Sequence, residues 1–276
     1  MNLHFTKMHG IGNDFVVVDC RERPLGLDAG AIARIGDRRF GVGFDQLLTI
    51  DPARDSTCAF RYGIYNADGS PALQCGNGVR CVAAWLRRDG ALGTGAVRLE
   101  SPSGPVAVEL LADGRVRVDM GAPRFAPVEI PLRVGRDADV HRIAIGGSEI
   151  EFGAVSMGNP HAVIETADVA AAPLATLGAA LSADAHFPQG CNVGFAQILD
   201  RRRLRLRVWE RGAGATLACG SGACAAVAVL ARRGKLDAEV AVDLPGGTLE
   251  IRWDGGAAPV WMTGPAAFVF EGELEA

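Results

Sequence analysis

Long apolar runs, excess positive charge and a leader segment are all missing from this sequence, and each absence excludes a class of protein. The longest fully apolar run, Ala223–Ala231, has nine residues, whereas a membrane-spanning helix needs about 20. The N-terminus lacks the apolar stretch of a signal peptide. The formal net charge is −4, which gives no general attraction to nucleic acid or to an anionic membrane. We therefore expect a cytoplasmic protein without nucleic-acid or membrane partners.

Disulfide, metal and cofactor patterns are equally scarce. The seven cysteines are odd in number and widely spaced, which predicts reduced thiols rather than a secreted disulfide scaffold. Cys75 and Cys81, like Cys219 and Cys224, lack the two-residue spacing of zinc knuckles, so we expect no metal. The only lysines, Lys7 and Lys235, are not beside a glycine-rich phosphate cup. This disfavours pyridoxal phosphate and predicts a protein that works without a cofactor.

What the sequence does contain is a repeat. Cys75-Gly76-Asn77-Gly78 is answered 144 positions later by Cys219-Gly220-Ser221-Gly222. Two further pairs follow the same order: Gly12–Asp19 with Gly158–Glu165 at an offset of 146, and Val42–Leu48 with Val193–Leu199 at an offset of 151. Matched elements in one order predict two homologous halves.

The seam between the halves is expected at Gly121–Pro131, where three prolines suit a stiff linker. Residues 1–120 with 265–276 would form the half with Cys75, and residues 121–264 the half with Cys219. Short alternating segments such as Arg115–Asp119 and Leu249–Trp253 predict antiparallel strands, and Arg201–Arg207 predicts a strand with its arginines in water.

Each cysteine precedes a predicted helix. Ala223–Leu230 has no polar face and should be surrounded by protein, and Asn77–Arg88 ends in basic residues before Gly90. The expected fold is therefore α+β: two halves related by a pseudo-twofold axis, each a curved, mostly antiparallel sheet around a central helix, with the active site in the cleft between them.

A cysteine at a helix start is chemically distinctive. The unpaired N–H groups and the helix dipole lower a thiol pKa from about 8.5 toward neutrality, and they bind carboxylate. A single such cysteine is more often a small buried apolar residue, and we interpret Cys20, Cys58, Cys81 and Cys224 as core, with Cys191 undecided. Two matched cysteines favour function, because inverting a carbon–hydrogen centre requires a base on one face and an acid on the other. Cys75 and Cys219 therefore predict racemisation or epimerisation of an amino acid.

The motifs resemble a known family. They are Gly12–Phe15, Gly41–Gln46, Asn66–Ser70, Cys75–Cys81, Gly158–His161, Asn192–Phe195 and Glu210–Gly222. Together they closely resemble diaminopimelate epimerase over nearly the whole chain. The resemblance implies cofactor-free interconversion of LL- and meso-2,6-diaminopimelate in lysine and peptidoglycan precursor biosynthesis. It makes Cys75 and Cys219 the acid–base pair, with His161 and Glu210 tuning their protonation.

The same resemblance implies a set of substrate-binding positions: Asn13, Gln46, Asn66, Gly76, Asn77, Asn159, Asn192, Glu210, Arg211, Gly220 and Ser221. Arg211 would bind the distal carboxylate of the substrate as a bidentate fork, and Glu210 would accept from its ammonium. Ser221 stands where the family commonly has threonine and keeps the hydroxyl. The family also implies a homodimer, with Phe270 at a position in the dimerising segment where relatives often carry tyrosine.

Two alternatives remain open on the residues alone. A proline racemase-like enzyme or related isomerase would use the same cysteine pair, but its one-headed substrate would leave Arg211 and several asparagines without partners. A thiol redox sensor or binding module would use the same cysteines without catalysing exchange of an alpha hydrogen.

Overall fold

A computed structural model describes residues 2–275, and the chain forms two compact units. The first unit runs from the start of the chain to Val118 and resumes at Thr263, and the second unit is Asp119–Met262. The strands are β1 (Asn2–Gly10), β2 (Asn13–Asp19), β3 (Gln46–Pro52), β4 (Phe60–Asn66), β5 (Gly95–Ser101), β6 (Gly104–Leu110), β7 (Val116–Asp119), β8 (His141–Ile145), β9 (Ser148–Ser156), β10 (Pro160–Glu165), β11 (Asn192–Asp200), β12 (Arg203–Glu210), β13 (Gly214–Thr216), β14 (Glu239–Leu244), β15 (Gly247–Arg252), β16 (Trp261–Gly264) and β17 (Ala267–Glu275). The helices are α1 (Ala29–Gly36), α2 (Gly76–Arg88), α3 (Ala179–Ser182), which a π-helical turn at Leu174–Gly178 precedes, and α4 (Gly220–Arg232).

The first unit contains a sheet whose strands pair in the order β17–β1–β2–β3–β4–β5–β6–β7. The pairs β2/β3 and β4/β5 are parallel, and the other pairs are antiparallel. Helix α2 lies in the connection between β4 and β5, as parallel neighbours require a crossover.

The second unit repeats this arrangement. Its strands pair in the order β8–β9–β10–β11–β12–β14–β15, with β10/β11 and β12/β14 parallel and the other pairs antiparallel. Helix α4 occupies the second parallel crossover, as α2 does in the first unit. The same alternation of parallel and antiparallel pairs in both units confirms the predicted α+β class and the duplication.

The pairing register also corrects one of the sequence matches. In the first unit Phe15 of β2 lies opposite Gln46, and in the second unit His161 of β10 lies opposite Asn192. Gln46 is therefore the counterpart of Asn192, at an offset of 146, and the offset of 151 expected for this element is wrong. The sequence match at 151 follows a shared Val-Gly-Phe, whereas the position in the sheet is set by backbone hydrogen bonds.

The central helices are buried as predicted. Every residue from Ala223 to Leu230 in α4 is buried, as are Val79, Val82 and Leu86 in α2. Helix α2 packs on β1, β2 and β6, and α4 packs on their counterparts β9, β10 and β15. Both helices have 13 residues, and no helix in residues 2–275 is long and apolar enough to cross a membrane.

The proline-rich segment at 121–131 forms neither a helix nor a named strand, as expected. It is nevertheless not a free linker, because Ile130 is completely buried in the apolar core of the second unit, beside Leu132. The apolar residues between the prolines bind this segment to the second unit, since burying them gains roughly 25 cal/mol for each Å² removed from water.

Candidate active site

Cys75 and Cys219 occupy matching positions in the two units. Each is the N-cap residue of its helix, with extended backbone dihedrals, and each Sγ accepts a hydrogen bond of 3.3 Å from the backbone N–H three residues later, that of Gly78 or Gly222. An N-cap acceptor satisfies one of the otherwise unpaired N–H groups of the first turn. Both sulfurs therefore lie at the positive end of a helix dipole.

The last glycine of each motif is required by a close approach. A Cβ added at Gly222 would lie 3.0 Å from the Sγ of Cys219 and 3.1 Å from Val208 Cγ2. At Gly78 it would lie 3.4 Å from the Sγ of Cys75 and 3.2 Å from a methyl of Leu48. A side chain at Gly222 would crowd both the sulfur and Val208, whereas one at Gly78 would require a small shift of Leu48. Packing therefore favours glycine as the last residue of each motif.

Around Cys75, the structure brings together side chains from β2, α2 and the loop before β3. The Sγ of Cys75 lies 3.7 Å from Asn13 Oδ1, which also accepts from Asn77 Nδ2 at 3.1 Å. Asn13 Nδ2 donates to Asp45 at 2.7 Å. Asn13 follows Gly12, whose φ of 91° is in the left-handed region that favours glycine.

A second set of amides in the first unit leaves one acceptor open. Asp68 accepts from the Ser70 hydroxyl at 2.6 Å, Ser70 Oγ accepts from Asn66 Nδ2 at 3.1 Å, and Asn66 Oδ1 accepts from Gln46 Nε2 at 3.1 Å. Because each group in this series already donates toward the aspartate, the Oε1 of Gln46 is left at the far end of the series. That oxygen is buried and has no hydrogen-bond partner among the described residues, so it can accept from a ligand N–H.

The protonation of Cys219 differs from the sequence expectation. Burial raises the pKa of its thiol well above the ordinary value, and the negative charge of Glu210 raises it further. The hydrogen bonds from the Gly222 N–H and from Ser221 oppose this rise without reversing it. The expected lowering of the pKa at a helix N-terminus is therefore wrong for Cys219, because desolvation outweighs the helix amides. Cys219 holds its proton at neutral pH.

Glu210 and His161 both lie in the Cys219 unit. Glu210 ends strand β12, and its Oε1 accepts from the Thr216 hydroxyl at 2.5 Å. His161 is fully buried, and burial, with the positive charge of Arg211, lowers its pKa to about 3. The imidazole is therefore neutral, and its Nε2 lies 3.0 Å from Asn159 Oδ1.

The remaining expected positions in this unit surround His161. Asn159 Nδ2 lies 3.5 Å from Ser221 Oγ, which in turn lies 3.7 Å from the Sγ of Cys219. Asn192 accepts from the backbone N–H of Arg211 at 2.9 Å. The Arg211 side chain is exposed, and its Nη1 donates to the carbonyl of Gln189 at 2.6 Å. Asn192 Nδ2 is 3.5 Å from His161 Nε2.

The side chains of Asp45, Asp68, Ser70 and Thr216 take part in these networks but were not among the positions expected from sequence. All four lie within the motifs of the sequence analysis, but a polar side chain in a motif does not reveal which neighbour it contacts. The thiols interpreted as core are buried: Cys20, Cys58, Cys81 and Cys224, together with Cys191. In the described part of the chain no three His, Cys, Asp or Glu side chains are grouped so that they could hold a metal ion.

Comparison with known proteins identifies the relatives of this chain. The family model for diaminopimelate epimerase matches residues 5–126 and 153–269. A diaminopimelate epimerase from Xanthomonas axonopodis pv. citri is 54% identical over 272 residues, covering 98% of this chain and 96% of the relative. One from Chromobacterium violaceum is 49% identical over 275 residues, covering 100% of both chains.

Among solved structures, a hydroxyproline epimerase from Agrobacterium vitis aligns with a TM-score of 0.73 at 16% identity, covering 99% of this chain and 92% of that one. A PhzF-family phenazine biosynthesis protein from Bacillus anthracis aligns with a TM-score of 0.70, also at 16% identity, with both chains fully covered. At such identities the likeness shows a shared fold.

Proposed function

The chain belongs to the diaminopimelate epimerase family, and from this premise we propose that Cys75 and Cys219 are the acid–base pair of the reaction. The protein is an isomerase that interconverts LL- and meso-2,6-diaminopimelate. The observation that carries the proposed roles is the equivalence of the two sulfurs: each is the N-cap of the central helix of its repeat, at 3.3 Å from the matching glycine N–H.

The proposed reaction moves one hydrogen at each step. With Cys219 protonated, Cys75 as thiolate takes the alpha hydrogen, so that a carbon–hydrogen bond breaks and a sulfur–hydrogen bond forms. The Cys219 thiol then gives its hydrogen to the opposite face of the carbon and becomes the thiolate. The reverse direction exchanges these roles, and no oxidant or co-reactant is consumed. The mechanism requires the two sulfurs to flank a single carbon.

Backbone amides supply what a cofactor would otherwise supply. The N–H groups at the start of α2 and α4 can hold the carboxylate next to the reacting carbon, and they bind it more strongly as it gains enolate charge. Gly76, Asn77, Gly220 and Ser221 are the first residues of these helices. We assign them to binding of this carboxylate.

Recognition of the distal amino-acid group is assigned to side chains that offer donors and acceptors. Arg211 is exposed and can bind the distal carboxylate, and Glu210 can accept from the ammonium. The unpartnered Oε1 of Gln46 supports its binding role. The amides of Asn13, Asn66, Asn159 and Asn192 complete the set. Buried polar groups left unpaired by a shorter ligand would discriminate against it.

His161 and Glu210 are proposed to set the protonation of Cys219. Glu210 raises the pKa of the thiol, and so keeps the hydrogen on sulfur until the carbanion needs it. The neutral His161 holds the amide of Asn159, which bonds Ser221 beside the sulfur. A neutral imidazole can do this without adding a charge that would favour the thiolate.

The test is inversion of LL-diaminopimelate by the purified protein in heavy water, without added cofactor. We expect meso product that carries deuterium at the inverted carbon. Cys75→Ala and Cys219→Ala should each abolish net inversion, whereas Cys81→Ala, which removes a buried thiol from the same helix as Cys75, should retain it. A Cys219→Ala variant that epimerises at the parent's rate would eliminate the two-base mechanism.

The same assay separates the alternatives. Inversion of proline or hydroxyproline in preference to diaminopimelate would indicate a one-headed substrate. Absence of any alpha-hydrogen exchange would indicate a thiol sensor or a binding module.

We also propose a cytoplasmic homodimer. Two free thiols that must stay reduced suit a reducing compartment. Strand β17 carries three consecutive exposed apolar residues, Phe268, Val269 and Phe270, and an exposed apolar patch favours a protein contact. Phe270 packs edge-to-face on Phe5 at a centroid distance of 5.9 Å, which fixes the aromatic surface. Light scattering should give twice the chain mass, and a Phe270→Glu variant should give the mass of one chain.

A further inference from the structure

A chain of hydrogen bonds in the first unit has one possible direction. Arg80 is fully buried, and its Nη1 donates to Asn77 Oδ1 at 2.9 Å. A guanidinium can only donate, so the Asn77 oxygen must face it, and Asn77 Nδ2 then faces Asn13 Oδ1 at 3.1 Å. At the other end, Asn13 Nδ2 donates to the Asp45 carboxylate, which can only accept, at 2.7 Å. Both ends require the same orientation of both amides.

This orientation determines which atom of the Asn13 amide faces the sulfur of Cys75. Asn13 Oδ1, rather than its NH₂ group, lies 3.7 Å from the Sγ of Cys75, so the thiol hydrogen has a fixed acceptor. On its other side the sulfur accepts from the Gly78 N–H. With the amide reversed, two N–H groups would face the sulfur, and the thiolate would be stabilised relative to the thiol. The chain therefore fixes the direction of the hydrogen whenever Cys75 is protonated.

Asp45 is itself held in place. Its Oδ1 accepts from Arg38 Nη2 at 2.7 Å, and its Oδ2 accepts from the backbone N–H of Asp14 at 3.1 Å. The carboxylate is exposed on the side of Arg38. The acceptor for Asn13 is therefore fixed by a strand backbone rather than by a flexible surface contact.

The second unit does not repeat this chain. The counterpart of Arg80 is Cys224, and that of Asp45 is Cys191. Asn159, the counterpart of Asn13, places its oxygen 3.0 Å from His161 Nε2 and its nitrogen toward Ser221. The Asn159 amide therefore turns its nitrogen toward α4, whereas the Asn13 amide turns its oxygen toward α2. Among the described residues, the series of hydrogen bonds from Arg80 to Asp45 reaches Cys75 and has no counterpart at Cys219.

We propose that Asp45 and Arg80 are positioning residues for Cys75, which fix the amides of Asn77 and Asn13 so that an oxygen faces the sulfur. The significance of this for turnover rests on the proposed role of Cys75, but the arrangement itself can be tested on the sulfur directly. The readout is the pH dependence of Cys75 alkylation by iodoacetamide, followed by mass spectrometry of its peptide.

Asp45→Ala removes the acceptor-only end. Asn13 is then held by Asn77 alone, and its oxygen becomes a less well fixed acceptor for the thiol hydrogen. We expect the alkylation midpoint of Cys75 to fall, by at most the half to one pH unit, roughly, that complete loss of one modest hydrogen bond would produce. Asp45→Asn is the matched control, because it loses the same charge but keeps an oxygen that can accept from Asn13. Its midpoint should stay near that of the parent at high salt, where a purely Coulombic effect is screened.

A double-mutant cycle decides whether the effect passes through Asn13. In an Asn13→Ala background, adding Asp45→Ala should leave the midpoint unchanged. An equal shift in that background, an Asp45→Asn shift as large as that of Asp45→Ala, or no shift in Asp45→Ala would each overturn the proposal. If Asp45→Ala does not fold, Asp45→Ser replaces it in the cycle, since its hydroxyl is one bond too short to reach Asn13.

The two proposals can fail separately. If Cys75→Ala still epimerises, the catalytic assignment fails while the alkylation cycle keeps its meaning. If the cycle shows no coupling, Asp45 has no positioning role even when Cys75 is the base.

Discussion

Glu210→Gln should lower the pH at which Cys219 ionises, because the glutamate is the largest electrostatic cause of its raised pKa. Burial contributes more than any other cause, and the carboxylate of Glu210 adds both its charge and a hydrogen bond. Glutamine keeps the size of the side chain and its bond from Thr216, so burial is unchanged. The variant separates the contribution of the carboxylate from that of burial.

The expected size follows from the hydrogen bond to a charged group, which is worth about 1.5–3 kcal/mol. Each 1.36 kcal/mol changes the thiolate fraction tenfold, so full removal of the interaction would raise the alkylation rate of Cys219 at neutral pH by roughly ten- to a hundredfold. Glu210 is only half-buried, and solvent reduces its effect toward the lower figure. Because burial remains, the pKa of Cys219 should stay above its ordinary value in the variant.

The assay is the pH dependence of Cys219 alkylation in the parent and in Glu210→Gln, with quantification of the peptide that contains residue 219. Glu239→Gln is the control, since it removes the same charge from a surface ion pair with Arg252 and should not change the midpoint. An unchanged or higher midpoint in Glu210→Gln would show that Glu210 does not hold the proton on Cys219. Inversion should slow in the variant only above its lowered midpoint, where Cys219 has already lost the hydrogen that it would give to the carbanion.

Three further predictions concern other parts of the site. The pKa of His161 is about 3 in the folded protein, below its value of about 6.5 in an unfolded chain. Its contribution to the free energy of unfolding is therefore complete above about pH 6.5. That contribution falls by about 1.4 kcal/mol for each pH unit as the pH decreases from there toward 3. Urea unfolding at pH 7 and 5 should show this loss in the parent and a smaller one in His161→Gln; equal losses would contradict the assignment. Gly222→Ala should lower the thermal midpoint and slow inversion, because its Cβ would lie 3.1 Å from Val208 Cγ2 and overpacking costs about 1–3 kcal/mol; a fully active, equally stable variant would refute the close-packing argument. Because the proposed mechanism requires both sulfurs to flank one carbon, mild oxidation should join Cys75 to Cys219 and abolish activity until reductant is added; peptide mapping that finds both thiols free in inactive protein would count against the mechanism.

Local signals in the sequence predicted the two helices that follow the cysteines and the strands β7, β12 and β15. The Gly-x-Gly entrances, the apolar run in α4 and the basic C-terminal residues of α2 act within a few residues of each other, so they can be seen without the fold. In β12, Leu204 and Leu206 are buried while Arg203 and Arg205 are exposed. This is the predicted alternation of a strand with one face in water.

The protonation of Cys219 could not be predicted in this way. A helix N-terminus is a local property, and it predicts a low pKa. The raised pKa of Cys219 has two non-local causes, which are its burial and the carboxylate of Glu210 at the end of β12. The offset of 151 between Val42–Leu48 and Val193–Leu199 is wrong for a similar reason, because a shared tripeptide is a property of sequence and strand pairing is not. Asp45 was visible within a motif, but its contact with Asn13 exists only once β2 and the loop before β3 lie side by side.

The duplication explains why the two cysteines agree in geometry and differ in surroundings. The N-cap position and the close glycine come from the shared scaffold, and the Sγ to N–H distance is the same in both units. The side chains around them have diverged: the strand that ends in Asn66 in one unit ends in Glu210 in the other, and Phe15 corresponds to His161. A reversible two-base reaction needs each sulfur to carry the hydrogen in turn. One unit favours the thiol with a carboxylate and burial, the other with a neutral amide whose direction is fixed from both ends. Since a carboxylate perturbs a thiol more strongly than an amide oxygen does, we expect the two sulfurs to be unequal at rest, and we propose that the resting enzyme holds the hydrogen on Cys219.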